Sequence, residues 1–175
     1  MHSGPVLIIG SGSQAACNLT GLCVAIASRT QRAPNVVLTE AARRFITEDT
    51  LRNVGGAQHV LRDRTTQVTA KPNHVWLSSE CSCVVVYPAS AGFIGKMAHG
   101  LALDLASTIV LAAHTKPIFV FPSTNSEMWA NPLVRHNIAA LELNHFYVYP
   151  TSDGSAPDIE SAADYVVSQL QQREP

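Results

Sequence analysis

Five short apolar runs without a charged residue constrain the fold of this chain more than any other feature. Most of them are bounded by Gly, Pro or Ser, and longer segments with helical periodicity separate them. Strands that carry no charge must be covered on both faces, as in a parallel sheet with crossover helices. The predicted strands are residues 6–9, 36–38, 84–87, 118–121 and 146–148.

The intervening segments predict helices on the two faces of this sheet. Helices are expected over residues 13–29, 40–45, 91–113, 133–141 and 158–171. The more polar segment 53–79 predicts a hairpin or an irregular excursion that leads to His74. With 175 residues, 46% of them hydrophobic, the chain has enough apolar material for one core. The sequence therefore predicts a single α/β domain over residues 1–175, a flavodoxin/Rossmann-like parallel sheet with helices on both faces.

Composition argues against several partner classes. A net charge of -1 without a basic stripe does not favour nucleic acid. Glycines and polar residues interrupt the apolar stretch 1–28, so neither a membrane span nor a signal peptide is expected and the chain is predicted to be cytoplasmic. No histidine or cysteine spacing indicates a metal site, and the cysteines are expected to be buried thiols. They are Cys17, Cys23, Cys81 and Cys83.

The first predicted strand ends in four small residues where a helix should begin. Backbone N–H groups and the helix dipole at such a turn suit a phosphate. The third glycine of the dinucleotide pattern falls at Ala15, so a mononucleotide fits better than a dinucleotide, although a plain tight turn is also consistent. Thr39, after the second strand, is an N-cap candidate that could reach the same phosphate. The four small residues are Gly10, Ser11, Gly12 and Ser13.

Two further strand-to-helix segments carry distinctive motifs, PASAGF at residues 88–93 and PSTNSEMW at residues 122–129. With them, residues 6 to about 148 resemble the homo-oligomeric flavin-containing cysteine decarboxylases, whose signatures are P-A-S-A-N-T and P-x-M-N-x-x-M-W. Two departures stand out, because Gly92 replaces the usual Asn and Thr124 replaces the usual Met. The Asn in that family lies near the flavin and substrate, so substrate positioning is expected to differ here.

The resemblance implies an FMN cofactor and a set of cofactor-binding residues. Serine hydroxyls and Thr39 would hold the phosphate and ribityl chain, and Ala89, Ala91 and Phe93 would lie against the ring. Taken alone, each serine would read as an ordinary helix cap. The implied cofactor-binding residues are Gly10, Ser11, Gly12, Ser13, Thr39, Phe45, Pro88, Ala89, Ser90, Ala91, Phe93 and Ser123.

The resemblance also implies a chemistry and three catalytic residues. Oxidation of a C-terminal cysteine to a thioaldehyde creates the electron sink that lets its carboxylate leave as CO2, and the flavin supplies that oxidation. His74 would act as a base toward the thiol proton, Asn125 would hold the carboxylate or a neighbouring amide, and Met128 would pack against the thiol. Without the resemblance, these residues read as a surface histidine, an N-cap and packing.

Within the family, the sequence favours the peptidyl-cysteine decarboxylases, including the epidermin enzyme of lanthipeptide biosynthesis. The phosphopantothenoylcysteine enzymes carry a cysteine in a C-terminal flap, whereas no cysteine follows Cys83 here. The enethiol product should then persist and lead to aminovinyl-cysteine in a precursor peptide. Residues 149–157 are the candidate clamp on that peptide, and Gly154 and Ser155 would let the clamp close.

Several alternatives stay open. One is a phosphopantothenoylcysteine decarboxylase of coenzyme A synthesis with an altered reductive step. Another is a non-catalytic FMN-binding regulatory protein of the same fold, which the change at Gly92 keeps open. A flavin prenyltransferase fits less well, because it would not need the Asn, Met and His together. The resemblance implies trimers, often arranged as dodecamers, with FMN at the subunit interfaces.

Overall fold

The computed structural model describes residues 4–62 and 68–172. Within them lies a sheet of six strands in the order β3-β2-β1-β4-β5-β6, in which every neighbouring pair is parallel. The predicted α/β class, with a parallel sheet covered by helices on both faces, is therefore confirmed. The strands are β1 Val6–Gly10, β2 Asn35–Leu38, β3 His59–Leu61, β4 Cys83–Ala89, β5 Ile118–Pro122 and β6 Tyr147–Val148.

Eight α-helices flank the described sheet, and two short 3-10 helices follow the first two strands. The 3-10 helices are Gln14–Asn18 and Ala42–Arg44. The α-helices are α1 Leu19–Thr30, α2 Glu48–Asn53, α3 Asn73–Glu80, α4 Ala91–Ala98, α5 Leu105–Ala112, α6 Ser126–Ala130, α7 Pro132–Leu143 and α8 Ile159–Gln171.

Three secondary-structure predictions were wrong. The expected helix 91–113 is two helices, because Gly100 takes a left-handed φ of 62° and Asp104 starts α5 with a capping box to Ser107. The expected helix 40–45 is only a 3-10 turn. The described part of 53–79 is not a hairpin, since β3 pairs in parallel with β2 and α3 follows. Residues 63–67 of that segment lie outside the described residues.

Alternating side chains of the strands feed two hydrophobic cores, one on each face of the sheet. In β1, Ile8 packs into the core that contains Phe119 and Phe121, whereas Leu7 and Ile9 pack into the opposite core. Each fully buried side chain of this kind contributes about 1.5–3 kcal/mol relative to exposure. The two cores fix the central strands and hence the loops that leave their carboxyl ends.

The strand order places a crevice between β1 and β4. The chain runs outward from β1 through β2 to β3 on one side and from β4 through β5 to β6 on the other. The loops after β1 and β4 therefore lead to opposite sides and leave a gap at the carboxyl edge, where ligands of open α/β sheets bind. Among the described residues, no helix is both long and apolar enough to cross a membrane.

Candidate active site

A pocket of about 830 Å³ opens at this crevice, at the carboxyl ends of β1, β4 and β5. None of the described side chains that line it is charged. The wall instead offers hydroxyl, amide and thiol groups beside small apolar residues. The lining residues are Gly12, Ser13, Gln14, Ala15, Cys17, Asn18, Tyr87, Ser90, Ala91, Gly92, Ser123, Thr124, Asn125, Met128, Ser155 and Ala156.

The turn after β1 contributes backbone N–H groups and one hydroxyl to the pocket. The Ser13 hydroxyl lies 2.6 Å from the hydroxyl of Ser123, so the ends of β1 and β5 meet there. The 3-10 helix begins at Gln14, and the first N–H groups of a helix have no intrahelical acceptor. Gly10 has a different role, because a Cβ there would lie 2.6 Å from Leu19 Cδ1 in the core. Gly12 lines the pocket, and a Cβ on it would overlap Ala41.

Ser11 supports the pocket without lining it. It is 1% exposed, and its hydroxyl donates to the Pro88 carbonyl at 2.7 Å and accepts from the Ser90 backbone N–H at 2.8 Å. The same oxygen lies 3.1 Å from the Ser90 hydroxyl. These contacts use the polar capacity of Ser11 within the protein, so its geometry is that of a residue that positions Ser90.

The PASAGF segment divides between pocket and core. Ser90 caps α4, its hydroxyl accepting from the Phe93 N–H at 3.4 Å, and Ala91 and Gly92 follow it along the pocket wall. Phe93 and Ala89 are buried in the core beneath that wall. The structure therefore brings Ser90 and Ala91 to the pocket and leaves Ala89 and Phe93 behind it.

Two other predicted cofactor residues, Thr39 and Phe45, lie outside the pocket lining. The Thr39 hydroxyl accepts from the Ala42 N–H at 3.2 Å, which caps the 3-10 turn after β2. Its own N–H donates to the Gly10 carbonyl at 3.0 Å and so ties β2 to the end of β1. Phe45 is exposed, and its carbonyl accepts the Cys17 thiol at 3.5 Å.

Asn125 and Met128 both line the pocket, and the fold fixes how Asn125 presents its amide. Asn125 is the N-cap of α6, and its Oδ1 accepts from the Met128 N–H at 2.7 Å. Only the oxygen of the amide can accept that bond, so the Nδ2 group is left as a donor. Met128 is 45% exposed, whereas Trp129 is buried and carries the Arg135 guanidinium over its ring.

The segment 149–157 contributes Ser155 and Ala156 to the pocket wall and is held by internal hydrogen bonds. The Asp153 carboxylate accepts from the Ser155 and Thr151 hydroxyls at 2.6 and 3.1 Å, and these bonds, that of Ser155 foremost, lower the pKa of Asp153. Gly154 has a φ of 80°, and its carbonyl accepts the Thr124 N–H at 2.8 Å. In this structure Gly154 therefore permits a close approach to the β5–α6 turn.

His74, the predicted base, does not line the pocket of its own chain. It is half-buried in the first turn of α3. Two residues, 81 and 82, connect α3 to β4. The ring of the neighbouring Trp76 packs edge-on against His59 of β3, with the ring centroids 5.2 Å apart.

Sequence reasoning missed several residues of the pocket wall, among them Cys17, Asn18 and Tyr87. The Tyr87 hydroxyl donates to the Pro157 carbonyl at 3.0 Å, and burial raises the pKa of this phenol. Cys17 is exposed, so the expectation that all cysteines are buried was wrong for this one. Desolvation raises the pKa of the three buried thiols to about 12, 11 and 12 for Cys23, Cys81 and Cys83. Only the tertiary fold, with its loops converging on the crevice, brings these residues together.

A second cavity, of about 620 Å³, lies at the opposite edge of the sheet, by the amino ends of β5 and β6. The C-termini of α4, α5 and α7 end at this cavity, and its basic lining residues are His114, Lys116 and His145. Basic side chains complement the partial negative charge of helix C-termini, so the fold itself accounts for them. Among the described residues, no group of three His, Cys, Asp or Glu could hold a metal ion.

A protein-family model described as Flavoprotein matches residues 1–172. This chain belongs to the Flavoprotein family. The predicted flavin cofactor is thereby confirmed at the level of the family.

The relatives of this flavoprotein include both a coenzyme A biosynthesis protein and an epidermin decarboxylase. It is 30% identical to the coenzyme A biosynthesis bifunctional protein CoaBC of Bacillus subtilis (strain 168) over 157 residues, 88% of this chain and 37% of that protein. It is 30% identical to the epidermin decarboxylase of Staphylococcus epidermidis over 129 residues, 73% of this chain and 67% of that protein. The chain thus spans about a third of the length of CoaBC.

Solved structures agree with the predicted fold. The flavoprotein superposes with a TM-score of 0.78 on the FMN-dependent cysteine decarboxylase TvaF from thioviridamide biosynthesis, at 29% identity, covering 98% of this chain and 99% of that one. Decarboxylases are therefore among the relatives of this chain. The relatives do not single out the epidermin branch, because CoaBC and epidermin decarboxylase match equally well in identity.

Proposed function

We propose that this flavoprotein binds FMN in the uncharged pocket and oxidatively decarboxylates the C-terminal cysteine of a ribosomally synthesised precursor peptide. The observation that carries the proposal is the pair formed by Asn125 and Met128. A fixed amide donor and an exposed thioether share one wall of a pocket without charged side chains. A cysteine carboxylate and its thiol are the two groups that such a wall can contact.

The pocket residues fit FMN. A phosphate can accept from the N–H groups that begin the 3-10 helix and from the hydroxyls of Ser13, Ser90 and Ser123. Thr124 also lines the pocket, and its buried Oγ1 has no hydrogen-bond partner within the described protein. FMN, when bound, supplies the two-electron oxidation of the cysteine. Ser11 holds Ser90 in place for this contact, and Ala91 leaves room for a flat ring.

The uncharged lining suits a carboxylate that must leave as CO2. A Lys or Arg would stabilise the negative charge of the ground state, which is lost when CO2 departs, and so would slow the reaction. The Asn125 Nδ2 group can orient the carboxylate by a neutral hydrogen bond. Met128 can pack against the sulfur, because thioethers adapt well to soft apolar contacts. Substrate orientation is therefore the role we assign to this pair.

His74 completes the site from a neighbouring copy of the chain. It is half-buried in the first turn of α3 and does not line the pocket of its own chain. The trimer or dodecamer that the family resemblance implies, with FMN at subunit interfaces, would bring His74 of one copy to the pocket of the next. There it would take up the thiol proton during oxidation.

The residues that follow β6 favour a peptide over the coenzyme A precursor as substrate, although the similarity to CoaBC supports the latter as a second candidate. No cysteine follows Cys83, and the loop 149–157 offers only hydroxyl, carboxylate and backbone groups to an enethiol product. Reduction of the enethiol would need a proton at carbon as well as electrons, and that loop has no thiol to donate the proton, so the product should leave as the enethiol. In a peptide, an enethiol can lead to aminovinyl-cysteine.

Mass spectrometry tests the proposal directly. The purified FMN-loaded protein is incubated with synthetic peptides ending in cysteine and, in parallel, with phosphopantothenoylcysteine. We expect the peptides to lose about 46 mass units, which is CO2 plus two hydrogens. Loss from phosphopantothenoylcysteine alone would instead identify the coenzyme A precursor as substrate. No loss from any substrate, with FMN retained, would favour a non-catalytic flavin-binding protein.

The origin of His74 is tested by complementation. His74→Asn and Asn125→Ala variants, each inactive alone, are co-expressed so that mixed oligomers form. If each site takes one residue from each of two copies, random mixing should restore about a quarter of the sites. A mixture that stays inactive while its oligomers are mixed would show that His74 does not act across copies.

A further inference from the structure

Gly92 is a glycine without a structural reason in this fold. A Cβ added to Gly10, Gly12 or Gly154 would collide with a neighbour, whereas a Cβ on Gly92 meets nothing within 4 Å. The φ of Gly92 lies outside the left-handed region that favours glycine, in contrast to that of Gly154. Neither packing nor backbone conformation therefore requires a glycine at this position.

Local structure does not favour glycine there either. Gly92 is the second residue of α4, and glycine is a poorer helix former than alanine. The position is exposed and lines the pocket directly after Ala91. What the missing side chain does leave is open space at the mouth of the pocket.

We infer that Gly92 is a specificity-determining residue, whose missing side chain opens a subsite for a large apolar side chain on the residue that precedes the C-terminal cysteine. The inference rests on the proposed function, in which Asn125 and Met128 hold the cysteine itself. Gly92 is exposed, so its space belongs to a part of the peptide nearer the mouth of the pocket. The lining of the same pocket includes Ala91 and Met128 and, among the described residues, no charged side chain, which suits an apolar or aromatic group.

The test measures binding separately from turnover. Fluorescent peptides that end in Trp-Ser and in Ala-Ser have no thiol to react, and their affinities for the FMN-loaded protein are compared by anisotropy. The native protein should bind the Trp-Ser peptide about fivefold more tightly or better. Gly92→Leu should lower the affinity for the Trp-Ser peptide about tenfold or more and the affinity for the Ala-Ser peptide less than about threefold. Gly92→Ala should give a smaller loss of the same preference.

Gly95→Ala is the matched control. Gly95 lies in the same helix, and a Cβ there would make an ordinary contact of 3.6 Å with Asn137 Nδ2, outside the pocket. This variant should change neither affinity by more than about twofold. Flavin absorbance checks that every variant retains FMN. If Gly92→Leu loses FMN, the inference is judged from the peptide affinities of Gly92→Ala.

Three results would overturn the inference. In the first, the native protein binds neither peptide or binds both with the same affinity. In the second, the Gly92 variants lose affinity for both peptides equally. In the third, they lose affinity for neither peptide. Failure of the proposed function looks different, because it is read from mass loss with cysteine peptides. A preference that Gly92 controls, without any loss of mass, would refute decarboxylation and leave the subsite standing.

Discussion

Replacing Gly154 with alanine should destabilise this protein more than its small size suggests. A Cβ on Gly154 would overlap Thr124 Oγ1 and lie 2.8 Å from Trp129 Cβ and Cγ. Trp129 is buried, and the Thr124 N–H is bonded to the Gly154 carbonyl, so neither neighbour can move away freely. The φ of 80° adds the strain of a left-handed conformation.

The two effects can be separated in magnitude. An L-residue in the left-handed region costs about 1–2 kcal/mol, of which the lower chain entropy of unfolded alanine offsets about 0.4–1 kcal/mol. Overpacking against a buried neighbour costs a further ~1–3 kcal/mol. Gly154→Ala should therefore lower the free energy of unfolding by about 2–4 kcal/mol. Gly56 has a φ of 66° and open space around its Cβ, so Gly56→Ala should show only the strain, about 1 kcal/mol.

Urea unfolding followed by circular dichroism measures both variants. Protein concentration and FMN occupancy must be held equal, because bound ligand and assembly add to apparent stability. The slope with urea should not change, so the midpoint reports stability directly. If Gly154→Ala is no more destabilising than Gly56→Ala, the close approach of the 149–157 loop to Trp129 is not what requires the glycine.

Three other predictions follow from single contacts. Asn125→Asp keeps an N-cap oxygen but replaces the amide donor with a negative charge, so kcat/KM for a cysteine peptide should fall about 100-fold. The free energy of unfolding should stay within about 0.5 kcal/mol of the native value. Equal activity of the native protein and the variant would refute the role of Nδ2. Ser11→Ala should cost about 1–3 kcal/mol in urea unfolding, because it leaves the Ser90 N–H unpaired, whereas the exposed Ser28→Ala should cost little. A thiol-reactive disulfide at pH 8 should modify only Cys17 in the folded protein, and saturating FMN should slow this reaction. Rapid modification of a second thiol would contradict the burial and the raised pKa of the other three cysteines. Those protected thiols are Cys23, Cys81 and Cys83.

The sequence by itself determined the sheet and most of its strands. Uncharged runs such as Val84–Tyr87 that alternate with helical segments are typical of a parallel sheet covered on both faces, so their pattern predicted the fold class. It also located the turns at Ser13, Ser90 and Asn125, because residues that end parallel strands must share one edge of the sheet. The strand His59–Leu61 was missed because three residues are too short to show a period.

Tertiary structure decided which of the candidate residues meet. Ser11 and Ser13 are two residues apart and look alike in sequence, yet one is buried beneath Ser90 and the other lines the pocket. The difference arises where β1 ends beside β4, because Ser11 is hydrogen-bonded to Pro88 and Ser90 at the end of β4. Likewise, only the tertiary packing shows that a side chain would have room at Gly92 but would collide with its neighbours at Gly154. The space around each glycine is set by residues that are distant in the sequence.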